Sequence, residues 1–432
     1  MKRDSFDPAA TLWSSTAAAR TPANPLEESL EVDTAVIGGG FTGLSTALHL
    51  AQSGRQVALF ESFEVGHRAS GRNGGQVVPG FKPGPQALIQ RFGNDVARRM
   101  MRFAYGNADA LFELASALEI DCAATRQGWI QGAFSPASAA YLEGRAREIN
   151  AHGGDVEYLP GDAIAAATGS RFWPAGLLER RAGAIHPLAF ARGLAQAAAA
   201  RGVSFYEHAA VNGIHAGPGA AKTLQVGKHL VHAKRVIIAT DAYTGQLWPA
   251  VAQSYVTVAS AQIATAPLPM ALQQALLPRR AGVSETRKIT YYCRIDPEGR
   301  FVIGGRGRAS DQIDPATEQQ LRTAALKRFP QLEGVRWEHR WACRVGMTID
   351  DLPRIHELAP GIWTAYGYCG RGVAMGTALG RVLADAVNGV PAADLDFPVT
   401  QLKRLPFFPA RQFGAALAIN WYRLRDALGH PG

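Results

Sequence analysis

Three glycines and one acid carry the first chemical signal in this chain. Gly38, Gly40 and Gly43 stand as Gly-x-Gly-x-x-Gly, and Glu61 follows 18 residues after the last of them. Such a triplet lets backbone pass close to a pyrophosphate. A helix starting inside it presents free N–H groups to the phosphate charge, and an acid about 20 residues on bonds ribose hydroxyls. The elements that must position these residues follow in order. Thr34 to Ile37 is a short β-branched, apolar run of the kind buried in a parallel sheet. Leu44, Ala47, Leu48 and Ala51 recur at helical spacing, Gly54 ends that helix, and Gln56 to Phe60 reads as a second strand. A βαβ turn with no ligand is the plainer alternative. Strand, triplet, helix, strand and acid in this order point to dinucleotide binding.

Bulk properties bound the rest. A chain of 432 residues exceeds the size at which one core stops growing, so two domains are expected. The composition, 47% hydrophobic and 19% charged, is that of an ordinary soluble globule. The net charge of +9 is scattered, with no dense basic run and no nucleic-acid signature. It reads as a solvated basic surface, or as a modest attraction for acidic substrates or anionic surfaces. Cys122, Cys293, Cys343 and Cys369 have no C-x-x-C spacing, which argues against a metal site or a disulfide framework. Asp4, Asp7 and Arg20 interrupt any leader-like apolar run, and no stretch reaches the ~18 apolar residues of a membrane span. These features together read as a cytoplasmic protein with reduced thiols. The oligomeric state is not legible.

The pattern along the chain divides it. Residues 1–31 form an extended arm, with Leu12 and Trp13 as candidate anchors. Segments 32–90, 155–250 and 345–392 carry the nucleotide-binding pattern. Helical spacing from Pro85 to Leu118 and from Ala137 to Ala151 assigns 91–154 to an inserted domain. Residues 251–344 join it as strand-like pieces of an antiparallel sheet with one helix, Glu318 to Phe329. Residues 393–432 form a tail with an amphipathic helix from Gly414 to Leu428, lying on a membrane surface or packed on the protein body.

Four stretches together resemble a known family: Gly38-x-Gly40-x-x-Gly43 with Glu61, Ala69-Ser-Gly-Arg-Asn-Gly-Gly-Gln76, Ile238-Ala-Thr-Asp-Ala-Tyr243, and Gly367-Tyr-Cys-Gly-Arg-Gly-Val-Ala-Met-Gly376. They are similar to the D-amino-acid oxidase/glycine oxidase superfamily of FAD enzymes. Asp351-Leu-Pro-Arg-Ile355 and Leu402–Pro409 add a likeness to its γ-glutamylputrescine oxidoreductase group. The resemblance implies an α/β fold with an α+β insert. One part is a Rossmann-like FAD-binding domain of glutathione-reductase type; the other is a discontinuous antiparallel-sheet substrate domain. It implies FAD contacts from Gly38, Gly40, Phe41, Thr42, Gly43, Glu61 and Ser62, then from Ser70, Arg72, Asn73 and Gly74. Val211 would reach adenine through its backbone, Ala239 and Thr240 would border the pyrophosphate, and Gly370, Arg371, Gly372, Val373 and Ala374 would meet the flavin ring. Plain core packing is the alternative for Val211 and Ala239.

The residues support the same cofactor independently. A second glycine-rich strand-to-helix turn lies about 330 residues after the first. A simple NAD-dependent dehydrogenase leaves it unexplained, whereas a ligand as long as FAD touches both turns. A helix starting near Gly372 aims its positive end at the ring edge where charge gathers on reduction. Arg371 adds charge there, or else makes an outward salt bridge.

Substrate chemistry is thinner. The expected reaction is oxidation of the C–N bond of an amine or amino acid, of γ-glutamylputrescine-like kind, by hydride transfer to flavin N5. Oxygen then takes the electrons and gives hydrogen peroxide. A dehydrogenase using another acceptor and a non-catalytic flavin-binding protein are the alternatives. An apolar, aromatic-lined site favours the neutral amine, and Tyr291, Tyr292 and Tyr366 are candidates for that lining. Arg294 or Arg306 is a candidate for a substrate carboxylate, with solvated strand arginines as the alternative. Asn73 acts directly or supports its turn. Lys288 is the candidate lysine for oxygen chemistry. Cys343, seven residues before Asp350, resembles the cysteine that carries flavin covalently in the sarcosine-oxidase branch; a buried inert thiol is the other reading. Cys369 stands where relatives often carry Ser or Asn.

Overall fold

In the computed structural model, which describes residues 11–20, 23, 25–216, 221–307 and 310–405, the first strand runs Leu30–Ile37. Its last four residues are buried, as expected of an apolar run covered on both faces. Parallel neighbours extend it to five strands, in the order Ile362–Tyr366, His229–Ile238, Leu30–Ile37, Val57–Phe60 and Ser204–Tyr206. Arg354–Ala359 closes one edge antiparallel, and Val211–Ala216 with Lys222–Val226 forms a meander on His229–Ile238. The helices Phe41–Gln52 and Gly372–Val387 lie side by side, with Ser45 Oγ donating to Thr377 O at 2.7 Å.

A second sheet of eight strands runs in the order Trp337–Met347, Val256–Pro267, Arg300–Gly307, Tyr292–Ile295, Gly282–Glu285, Trp129–Gly132, Ala175–Glu179, Val156–Pro160. Every pairing is antiparallel except that of Gly282–Glu285 with Trp129–Gly132. The helix Pro315–Arg328 buries Leu321, Ala324 and Ala325 against Ile263, Phe301 and Ile303 of this sheet.

Three elements sit differently from the division drawn on the sequence. Val156–Pro160 and Ala175–Glu179, grouped there with the nucleotide-binding segments, pair in the second sheet. A strand buried at every position, as Ala175–Glu179 is, shows no alternation to say which sheet covers it. The helix Asn94–Ala117, assigned to the insert, buries Met100, Met101 and Leu111 in the same core as Leu44 and Leu379. The arm is pinned as expected: Leu12 and Trp13 are buried in a short helix, Leu12–Thr16. The tail helix expected at 414–428 lies outside the described residues. Among the described residues no helix is long and apolar enough to cross a membrane, and all four cysteines are free and buried.

Candidate functional site

The strand Leu30–Ile37 ends in a turn that only glycine can make. Gly38 has φ +111°, and a Cβ there would stand 2.7 Å from Ala239 O; a Cβ on Gly43 would stand 2.0 Å from Gly38 O. Backbone therefore approaches backbone as closely as the motif implied. The helix Phe41–Gln52 opens at Gly40 with no side-chain cap and no acid in its first turn. Glu61 Oε2 accepts from Gly39 N at 2.7 Å and Oε1 from Phe63 N at 3.0 Å. Burial pushes the Glu61 carboxyl up, and those two N–H groups pull it back.

The second glycine turn is locked to the first. Tyr368 Oη lies 2.6 Å from Thr42 Oγ1 and donates to Ala365 O, while Gly367 N donates to Asp241 Oδ1 at 2.7 Å. Cys369 and Gly370 both take positive φ, and the helix Gly372–Val387 begins uncapped at Arg371. Gly38 to Thr42 and Tyr368 to Val373 line one cavity of about 1300 Å³. That exceeds the ~300–1,000 Å³ of an ordinary small-ligand pocket and leaves room for a long cofactor and a substrate together.

The other expected residues divide into two groups. On the cavity wall are Glu61, Ser62, Ser70, Asn73, Gly74, Val211, Ala239, Thr240, Gly370, Arg371, Gly372 and Val373. So are Tyr292, Lys288, Arg306, Cys343 and Cys369. The Asn73 side chain is spent on its own turn, donating to Ala69 O and Ser70 O and accepting from Gly75 N at 2.8 Å. It therefore supports the loop. Tyr292 Oη is 2.6 Å from Ser260 Oγ. Lys288 Nζ is 3.7 Å from one oxygen of Asp351, whose other oxygen is 3.3 Å from Lys82 Nζ. Burial pushes the Cys343 thiol up to about 12, which keeps it protonated.

Away from the wall are Gly43, Arg72, Ala374, Tyr291, Arg294 and Tyr366. Gly43 serves the close crossing described above, and Ala374 is core. Arg72 is buried and donates to Ala342 O, bracing its loop on the second sheet. Tyr291 faces Arg328 and accepts from Gln320. Arg294 is buried behind the cavity wall. The loop at Gly75 lies over it, so that a Cβ there would stand 2.8 Å from Arg294 Nη2, and the guanidinium donates to Ile185 O. Tyr366 turns away from the cavity and hydrogen-bonds Ser254 and His356.

The sequence reading missed several wall residues. Tyr368 and Asp351 lie inside quoted motifs without a role, Lys82 and Arg145 carry no signal, and Trp129 reads only as the start of a short strand. Lys82 comes from a loop, Trp129 from a strand and Arg145 from a helix, so their convergence is tertiary. Arg371 lies over the Trp129 ring at 5.6 Å, and burial pushes its pKa down to about 10. Burial pushes the nearby Glu179 up to about 7, against the Arg181 N–H and the charge of Arg371. The folded protein thus holds a proton that the unfolded chain releases near its ordinary 4.5. Glu179 makes stability fall as pH rises through that window. Glu179→Gln is expected to flatten this slope; urea unfolding midpoints across the same pH range check it.

The residues present fit FAD. A glycine turn too closely packed for any side chain, an acid bonded to that turn and two uncapped helix N-termini meet at one cavity. Comparison with known proteins agrees. Residues 33–386 match the family model described as FAD dependent oxidoreductase, DAO. The chain is 32% identical to γ-glutamylputrescine oxidoreductase of Escherichia coli (strain K12), over 94% of this chain and 96% of that protein. It is 26% identical to glycine oxidase of Bacillus licheniformis, over 83% and 94%. Among solved structures, glycine oxidase from Geobacillus kaustophilus superposes with a TM-score of 0.72 at 22% identity, covering 86% of this chain and 99% of that one.

Proposed function

The chain belongs to the DAO family of FAD-dependent oxidoreductases, and on that footing we propose that it oxidises the C–N bond of an amine or amino acid to an imine, with oxygen as final acceptor. γ-Glutamylputrescine-like amines are the first class to test, because the E. coli relative carries that name over nearly the whole chain. The observation that carries the reading is one cavity shared by both glycine turns and a chamber of mixed charge.

In this reading Gly38 to Thr42 hold the pyrophosphate, Glu61 the ribose, and the helix starting at Gly372 the far end of the ring. When bound, FAD supplies the two-electron acceptor for the hydride on the carbon beside the nitrogen. The chain's residues choose the protonation state of the substrate. Lys82, Arg145, Arg287, Lys288 and Arg371 on the chamber wall outnumber Asp351 and Glu285. The positive field disfavours an ammonium and favours the neutral amine, and it attracts a carboxylate elsewhere on the substrate. Tyr292 and Trp129 supply apolar surface that excludes water from the reacting carbon. Hydride leaves carbon, a proton leaves nitrogen, and water hydrolyses the resulting imine to a carbonyl compound and an amine.

The test is a visible spectrum of the holoprotein without oxygen, titrated with polyamines and their γ-glutamyl derivatives, N-methyl and cyclic amino acids. Bleaching by at least one, then peroxide on admitting air, is expected. Bleaching without peroxide assigns a different electron acceptor, and a spectrum that no amine bleaches overturns the proposal.

A further inference from the structure

Behind the cavity, the N-terminal segment touches two of the loops that form it, although neither of its gripping side chains lines the cavity. The first grip is at Trp13. Its indole is buried and its Nε1 donates to Asn73 O at 2.8 Å. Asn73 begins the Asn73-Gly74-Gly75 turn, whose shape its own side chain sets. The preceding carbonyl, Arg72 O, is held by Trp341 Nε1 at 2.9 Å and by Gln262 Nε2. Three side-chain donors thus fix two consecutive carbonyls of the loop, and one of them arrives from 60 residues earlier in the chain. Trp13 is itself fixed: Arg294 lies over its ring at 4.9 Å, and Trp341 and His186 meet it edge-on. Thr16 Oγ1 adds a 3.0 Å contact to His186 Nε2.

The second grip is at Arg20. It pairs with Glu207 and, at 3.2 Å, with Glu64. The other oxygen of Glu207 accepts from Val65 N at 2.7 Å. Arg20 thereby ties down the segment that directly follows Glu61. The arm spans the outside of the cleft, touching the Ser70–Gly75 side with one residue and the Glu61–Val65 side with the other.

We propose that residues 11–20 are a strap that sets the shape of the FAD cleft, with Trp13 positioning the loop beside the flavin ring and Arg20 the loop beside the ribose. Neither residue touches the cofactor. Both act through backbone that does, so both are positioning residues. A strap of this kind presets the loop before FAD arrives and so reduces the ordering that binding must complete. The inference rests on the placement of FAD proposed above.

The test uses the full-length holoprotein. Trp13→Phe, with Leu12→Val as the control for lost packing, keeps an aromatic ring in the pocket and removes the N–H together with the rest of the pyrrole ring. It is expected to speed flavin release about threefold to tenfold, the worth of one hydrogen bond, read as the return of free-flavin fluorescence after dilution. It is also expected to change the shape of the bound flavin's visible band, because the loop beside the ring relaxes. Arg20→Gln is expected to speed release without changing the band. Leu12→Val thins the same apolar cluster without reaching either loop; it is expected to lower the apoprotein's thermal midpoint and leave release at the wild-type rate. The proposal is overturned if Trp13→Phe matches wild type in release and spectrum, or if Leu12→Val speeds release as much. A mistaken FAD placement shows separately, as unaltered FAD retention on substitution of Glu61.

Discussion

Glu61→Gln protein is expected to leave purification nearly colourless. The carboxylate has two N–H partners on opposite sides, Gly39 at 2.7 Å and Phe63 at 3.0 Å, and the residue is almost wholly buried. Glutamine has the same length, so packing is retained, but one of its two termini is an NH₂ that faces an N–H instead of accepting from it. One charge-assisted hydrogen bond is lost, at about 1.5–3 kcal/mol, and one buried donor is left without a partner, at about 1–3 kcal/mol. At about 1.4 kcal/mol per factor of ten, FAD should bind on the order of 100-fold more weakly or worse. With the NH₂ turned toward Gly39 N, both losses fall on the Gly38–Gly39 peptide, beside the proposed pyrophosphate site. Titration of the apoprotein with FAD, followed by flavin fluorescence, measures the change. A variant that purifies with one FAD per chain would remove Glu61 from the cofactor site.

The largest effect on stability is expected for Glu285→Ala. Arg328 Nε donates to Glu285 Oε1 at 2.6 Å, both side chains are 2% exposed or less, and Trp173 Nε1 donates to the same oxygen at 3.1 Å. Arg287 stands 3.7 Å from the other oxygen. Removing the carboxylate strands a guanidinium in the second core, and breaking a buried pair from one side costs about 3–5 kcal/mol. For a folding unit of a few hundred residues that corresponds to a fall of roughly 10 °C in the thermal midpoint. The double variant Glu285→Leu/Arg328→Met should recover most of it, since no unpaired charge then remains. Calorimetry of the three proteins decides the matter, and equal midpoints for Glu285→Ala and wild type would refute it. Function should follow stability, because the strand Gly282–Glu285 leads into Thr286–Thr290, which lines the cavity.

Much of the cofactor side was legible beforehand because its signals are local. A glycine in a left-handed turn, an uncapped helix start and a short apolar strand are each written within a few residues. The strands Leu30–Ile37 and Val57–Phe60 stand where their patterns placed them, and the helix starting at Gly372 begins at the glycine that announced it. The substrate side was far less legible. Tyr291, Tyr292 and Arg294 are neighbours on one stretch of chain, yet only Tyr292 reaches the cavity. Alternation along a strand separates Tyr291 from the other two. It says nothing of the Gly75 loop that folds over Arg294, or of the N-terminal arm that seats Trp13 on it.

The amino-acid sequence by itself determined the nucleotide-binding turn, the acid paired with it and the helix that opens the second turn. In each the cause is backbone geometry, settled within a few positions along the chain. Only the tertiary structure decided that Thr42 and Tyr368, more than 300 residues apart, lie 2.6 Å from one another. It alone decided that Ala175–Glu179 joins the second sheet and that Lys82, Lys288 and Asp351 meet at one wall. Such meetings depend on which apolar face covers which. Apolar burial is non-directional, and periodicity records only that a face is covered, never by what.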